Sequence, residues 1–111
     1  MAPRVHNSGH WTIEGAETSQ FENHLRAVLG LPLGSTAPRG QSAMVNLIGE
    51  KPPFAEVLKV EGAHRHWYGK AVRPGRKVGH ITLRRDGLEA LEEGLARLSR
   101  LVSELPWEGR V

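Results

Sequence analysis

A chain of 111 residues suits one domain with a modest core, short of the two or three layers that most complete enzymes use. Its 15 Lys and Arg against 12 Asp and Glu leave a net charge of +3, which excludes a polycationic surface, and the absence of cysteine excludes a disulfide framework or a thiolate site. No apolar run approaches the roughly 20 residues of a membrane span and the opening is polar, so no membrane and a cytoplasmic location are expected.

Pro3 to Ile13 reads as an extended segment bent at the turn-forming Asn7-Ser8-Gly9. Ser19 and Glu22 form a capping box for a helix with Phe21, Leu25, Val28 and Leu29 on its apolar face, ended by Gly30 and Pro32. Leu31 to Gln41, rich in Gly, Pro and Ser, is a surface connection, and Ala43 to Ile48 is a buried strand. Pro52-Pro53 interrupts regular structure before a short helix over Phe54 to Val60, and Gly62 resets the chain for an extended run from Ala63 to Tyr68.

The stretch GKAVRPGRKVG, Gly69 to Gly79, holds a Pro-Gly pair suited to a type II turn and reads as a basic loop between strands. Val78 to Leu83 alternates as a strand. Asp86, with Glu89, caps the longest helix, whose stripe runs through Leu88, Leu91, Leu95, Leu98, Leu101 or Val102, and Leu105 until Pro106 stops it. The tail WEGRV is expected to fray. The fold class is therefore α+β, a small antiparallel sheet packed against a long C-terminal helix.

Two constellations carry chemistry. In an extended segment Arg4 and His6 project to one face, a fixed positive fork beside a titratable imidazole, which suits a small planar oxyanion such as carboxylate or bicarbonate. Asn7-Ser8-Gly9 reads as a side-chain-stabilised turn; His6 and His10 are four apart but not on a helix, which argues against a metal, and no strand-to-helix elbow makes Ser8 a nucleophile. The second group runs His64, His66, Lys70, Arg73, Arg76, Lys77 and His80 around Trp67 and Tyr68. There Lys70 and Arg76 suit a phosphate, a solvated basic hairpin is the plainer reading, and an RNA surface with stacking aromatics is a third. His64 and His66 read as packing and hydrogen-bonding residues, not zinc ligands.

Three stretches in order, RVHNSGHWTIEGAETSQFENHLRAVLGLPLG, AMVNLIGE and HWYGKAVRPGRKVGHITL, resemble the C-terminal third of the ATP-grasp family of 5-(carboxyamino)imidazole ribonucleotide synthases, over nearly the whole chain. The resemblance implies an ATP- and Mg2+-dependent ligase of purine biosynthesis that turns bicarbonate into carboxyphosphate and carboxylates aminoimidazole ribonucleotide. It places Arg4 and His6 beside bicarbonate or carboxyphosphate, with His6 orienting or deprotonating it, Asn7 and Ser8 on the same wall, and Lys70, Arg76 and Lys77 at the substrate phosphate.

It also implies a homodimer, and a division into residues 1–41, the end of an ATP-grasp domain with its strand and helix, and 42–111, a small C-terminal α+β domain. The family's N-terminal ATP-grasp part, with most ligands of ATP and Mg2+, has no match here, and Met1 matches an internal methionine that follows a magnesium-binding glutamate. The expectation is a fragment, a mis-started product or half of a split enzyme, inactive alone, with Met1 to about Gly15 disordered or paired to a neighbouring chain. The competing expectation is a free-standing phosphate-ligand or RNA-binding module.

Overall fold

The structure is a computed structural model that describes residues 5–102 and the backbone of 107–110. A 3-10 turn at Asn7–Gly9 leads into α1 (Thr12–Gly15) and α2 (Gln20–Val28). There follow β1 (Gln41–Ile48), α3 (Phe54–Leu58), β2 (Ala63–Trp67), β3 (Lys77–Arg85), α4 (Leu88–Leu98) and β4 (Trp107–Arg110). The strands make one antiparallel sheet in the order β2-β3-β1-β4.

The register sorts the side chains into two faces, because partners opposite each other in an antiparallel pair share a face. Val45 pairs with Ile81 and Ile81 with Arg65, while Ala43 pairs with Leu83 and Leu83 with Ala63. This face is the apolar core, closed by Val57 of α3 with Val60 just after it and by Leu91, Leu98 and Val102 from α4 and its end. Ile81 and Leu83 are fully buried, each worth about 1.5–3 kcal/mol relative to exposure. Gly94 lets α4 come close: a Cβ there would lie 2.7 Å from Leu83 Cδ2.

The opposite face carries Asn46, His80 and His66 in one row and Met44, Thr82 and His64 in the next, with Ser42 beyond. Residues 7–20 lie across it. Gly15 seats α1 there, since a Cβ would meet Ser42 Oγ and stand 2.7 Å from Trp11 Cε3. Ser42, His80 and Thr82 are all buried, so this second layer is polar and closed.

Several expectations are corrected. The turn expected at Asn7-Ser8-Gly9 forms, with His6 extended before it and Gly9 N donating to His6 O at 2.9 Å, but beyond it Thr12–Gly15 is helical where an extended run to Ile13 was expected. Residues 5–15 thus pack on the sheet and are not left as an unpaired edge strand. Ser19 caps α2 by accepting from Glu22 N at 3.1 Å, but the Glu22 side chain pairs with Arg26, so half of the capping box forms. Leu25, Val28 and Leu29 are exposed.

The cap of α4 is Gly87 with φ 103° and no side-chain bond, while Asp86 accepts from Arg84 at 3.3 Å. The helix ends at Leu98, ahead of Pro106, and Leu88 is exposed at its start, whereas Leu105 lies outside the described residues. The tail does not fray: Trp107–Arg110 pairs with β1 from Val45↔Trp107 to Ser42↔Arg110, covering a strand edge. The Pro74-Gly75 turn forms as expected, with Gly75 at φ 76° and Arg76 N donating to Arg73 O at 3.0 Å.

Candidate functional site

The His6 ring is built into the N-terminal turn. Ser8 N donates to His6 Nδ1 at 3.1 Å, and Ser8 Oγ lies 2.9 Å from the same nitrogen. A backbone N–H can only donate, so Nδ1 accepts and the neutral ring carries its proton on Nε2. His6 and Ser8 are exposed, with Asn7 half-buried between them. Arg4, the other half of the expected oxyanion pair, lies outside the described residues.

Gln20 holds this turn. Its Oε1 accepts from His6 N at 3.1 Å and its Nε2 donates to His6 O at 2.7 Å. The second Nε2 proton points to His10 Nδ1 at 2.8 Å. His10 then packs on Phe21, with ring centroids 5.2 Å apart, and on His80 at 5.4 Å.

His80 is the centre of the polar layer, 1% exposed. It stacks on its cross-strand partner His66 at 4.5 Å between centroids, and its Nδ1 is hydrogen-bonded to Tyr68 Oη at 2.7 Å. Its Nε2 has no hydrogen-bond partner among the described residues. Burial pushes the His80 imidazole down from 6.5 to about 3, and the neighbouring His66, His10 and Lys77 push the same way. Burial also raises the Tyr68 hydroxyl above its ordinary value of 10.0. His66 Nε2 donates to Glu14 Oε2 of α1 at 2.8 Å, so the hydrogen-bonding role expected of this residue is met; His64 is exposed.

The basic hairpin leaves the sheet at Tyr68, whose N donates to Val78 O at 3.0 Å. Lys70 is exposed, Arg76 Nη1 donates to Ala71 O at 3.2 Å, and Lys77 Nζ sits 5.7 Å from the centre of the Tyr68 ring. The two predicted clusters do not touch through these contacts directly. They are joined by a chain of contacts from Lys77 through Tyr68, His80, His10 and Gln20 to His6. The roles of Gln20 and Glu14 are not legible from spacing, because each reaches its partner across the fold.

The aromatic faces in the second cluster are already occupied. Lys51 Nζ lies 4.7 Å and the Arg65 guanidinium 5.5 Å from the Trp67 ring, and Arg65 also lies 4.4 Å from Phe54. A cleft of about 160 Å3 lined by Glu56, Lys59, Arg97 and Arg100 lies beside α3 and α4, away from the histidines. Among the described residues no group of three or more His, Asp or Glu side chains is placed to hold a metal ion. No helix among them is long and apolar enough to cross a membrane.

This α+β fold, with residues 7–20 across the polar face of its sheet, matches two family models. The ATP-grasp domain matches residues 1–21 and the phosphoribosylaminoimidazole carboxylase C-terminal domain matches residues 42–94. The N5-carboxyaminoimidazole ribonucleotide synthase of Pseudomonas aeruginosa is 63% identical over 102 residues, 92% of this chain and 28% of that protein. Its counterpart in Escherichia coli is 50% identical over 108 residues, 97% of this chain and 29% of that protein.

Among solved structures, the N5-carboxyaminoimidazole ribonucleotide synthetase of Thermus thermophilus superposes with a TM-score of 0.92 at 98% identity, over 97% of this chain and 30% of that one. The Aspergillus clavatus synthase, in complex with ADP and 5-aminoimidazole ribonucleotide, superposes with a TM-score of 0.81 at 43% identity, over 91% of this chain and 30% of that one. The chain belongs to the N5-carboxyaminoimidazole ribonucleotide synthase family and matches its C-terminal part. It spans 28% of the length of the first curated relatives it matches.

Proposed function

We propose that the chain acts as the C-terminal part of an ATP-dependent carbon–nitrogen ligase that carboxylates aminoimidazole ribonucleotide with bicarbonate in purine biosynthesis. Residues 1–41 close the ATP-grasp domain and 42–111 form the C-terminal domain. An N-terminal ATP-grasp part supplies the ligands of ATP and Mg2+. The complete enzyme is a cytoplasmic homodimer.

The observation that carries the reading is the exposed His6 ring, locked by Ser8 at Nδ1 so that its proton is on Nε2. A fixed N–H donor stabilises negative charge on a small oxyanion without reorganising. Because Nδ1 is occupied by Ser8, His6 orients bicarbonate and does not deprotonate it, and Arg4 adds the fixed positive charge. Asn7 continues the wall. Lys70, Arg76 and Lys77 take the substrate phosphate, Arg76 through its planar fork.

An RNA surface is disfavoured because Lys51 and Arg65 already cover Trp67 and His80 holds Tyr68. The test is ATP-dependent phosphate release with bicarbonate and aminoimidazole ribonucleotide, for the chain alone and mixed with a separately expressed N-terminal ATP-grasp part. The expected result is silence alone and turnover on mixing, lost with Lys70→Ala. Turnover by the chain alone, or silence in both, overturns the proposal.

A further inference from the structure

The oxyanion turn and the phosphate hairpin belong to different parts of the chain, yet a carboxylation needs their ligands at a fixed separation. Misplacement of about 1 Å between reacting groups costs on the order of a hundredfold in rate. Something must set that distance, and the residues between the two clusters are unusual for a structural filler.

His80 is 1% exposed and its Nε2 is unpartnered among the described residues. A buried polar group without a full set of partners is less favourable than an apolar side chain of similar size. What the imidazole offers in exchange is direction. Its Nδ1 fixes Tyr68 Oη at 2.7 Å, and Tyr68 sits where the hairpin begins, two residues before Lys70 and 5.7 Å beneath the Lys77 ammonium. One ring contact away, His10 stands 5.4 Å from His80 and is bonded to Gln20, whose amide grips both backbone polar groups of His6. His66 stacks on His80 and binds Glu14, which fastens α1 to the same place.

We propose that Tyr68 and His80 form a positioning pair that sets the His6 turn against the Lys70–Lys77 hairpin, and so holds bicarbonate and the nucleotide phosphate at a fixed separation. The inference rests on the function proposed above, and it concerns residues that touch neither ligand. Other groups facing His80 are Asn46 across β1, and His10, His66 and Lys77. Loss of that single bond leaves the ring volumes and the Tyr68 N to Val78 O backbone bond in place and releases the Tyr68 ring from His80.

The test uses the complemented enzyme, with Tyr68→Phe as the least disruptive change and His80→Gln as a second variant that keeps a hydrogen-bonding group for Tyr68. In Tyr68→Phe the KM values for aminoimidazole ribonucleotide and bicarbonate are expected to rise together by about tenfold, with the KM for ATP unchanged. In His80→Gln both are expected to stay within about threefold of the parent. A merely structural role would lower the melting temperature and the active fraction without moving either KM. Unmoved KM values in Tyr68→Phe, or an equal rise for ATP, overturn the positioning role while the parent stays active. A parent mixture without turnover overturns the functional reading and this one with it. If Tyr68→Phe does not fold, a His80→Phe enzyme that folds and keeps parental KM values overturns the proposal, and one with both raised supports it.

Discussion

The two faces of the sheet differ in kind. On one, Val45, Leu47, Ile81 and Leu83 meet α3 and α4 in an apolar layer; on the other, Ser42, Thr82, His80 and His66 meet residues 7–20 in a buried polar one. The first gains stability from area removed from water and is indifferent to direction. The second contributes little through area and much through geometry, because each of its hydrogen bonds specifies where a neighbour sits. Stability and placement are thus divided between faces. The His6 turn is attached to the directional face, and Tyr68 ties the start of the hairpin to the same face.

The division is broken most severely from the apolar side. Leu83→Ala removes fully buried methyl groups under Gly94, and a loss of about 2–5 kcal/mol in urea unfolding is expected. A loss well below that range would mean that α4 collapses onto the gap and that the layer is looser than its burial implies. Gly15→Val attacks the polar side through its cover. The new side chain meets Trp11 and Ser42, and about 1–3 kcal/mol of strain is expected, with increased hydrogen exchange confined to residues 5–20. Exchange rising equally in β1 and β3 would show that the faces are not separable.

The apolar face was largely legible in the sequence. A buried run placed β1, alternation placed β3, the leucine spacing placed α4, and Ser19 marked the start of α2. The polar face was not. It depends on the register that sets His66 opposite His80, and no local spacing specifies a pairing between residues fourteen positions apart. His6 was legible as a candidate ligand residue, but its tautomer follows from Ser8 N, and the Gln20 bridge follows from a tertiary contact. The Asp86 cap failed because Gly87 adopts a positive φ and takes the capping position itself. The tail strand carries too few alternating residues to announce itself, and only the open edge of β1 gives it a role.

Acid sharpens the contrast, since it titrates an imidazole at the centre of the polar face. His80 is held near 3 when folded, by burial first and then by His66, His10 and Lys77, against 6.5 in an unfolded chain. Between these values the unfolded chain binds the proton and the folded one does not, so the contribution of neutral His80 is complete above about 6.5 and is lost as pH falls toward 3. The slope has a ceiling of about 1.4 kcal/mol per pH unit for one group. Urea midpoints measured from pH 7 down to pH 5 should fall more steeply for the parent than for His80→Gln. Parallel slopes would assign the acid sensitivity elsewhere.

The smallest effect is the most diagnostic. Ser42 is buried on the polar face, 1% exposed, and its Oγ has no hydrogen-bond partner among the described residues. If every polar atom of that face worked in placement, Ser42→Ala would be as damaging as the loss of the Tyr68 hydroxyl. The geometry says otherwise, because an unpartnered buried hydroxyl is a desolvation cost with nothing set against it. Ser42→Ala is therefore expected to leave unfolding free energy within about 0.5 kcal/mol of the parent or to raise it, and to leave substrate KM values unmoved. A loss above about 1 kcal/mol would mean that Ser42 has a partner, an ordered water being the simplest, and that the directional network reaches beyond the histidines to the start of β1.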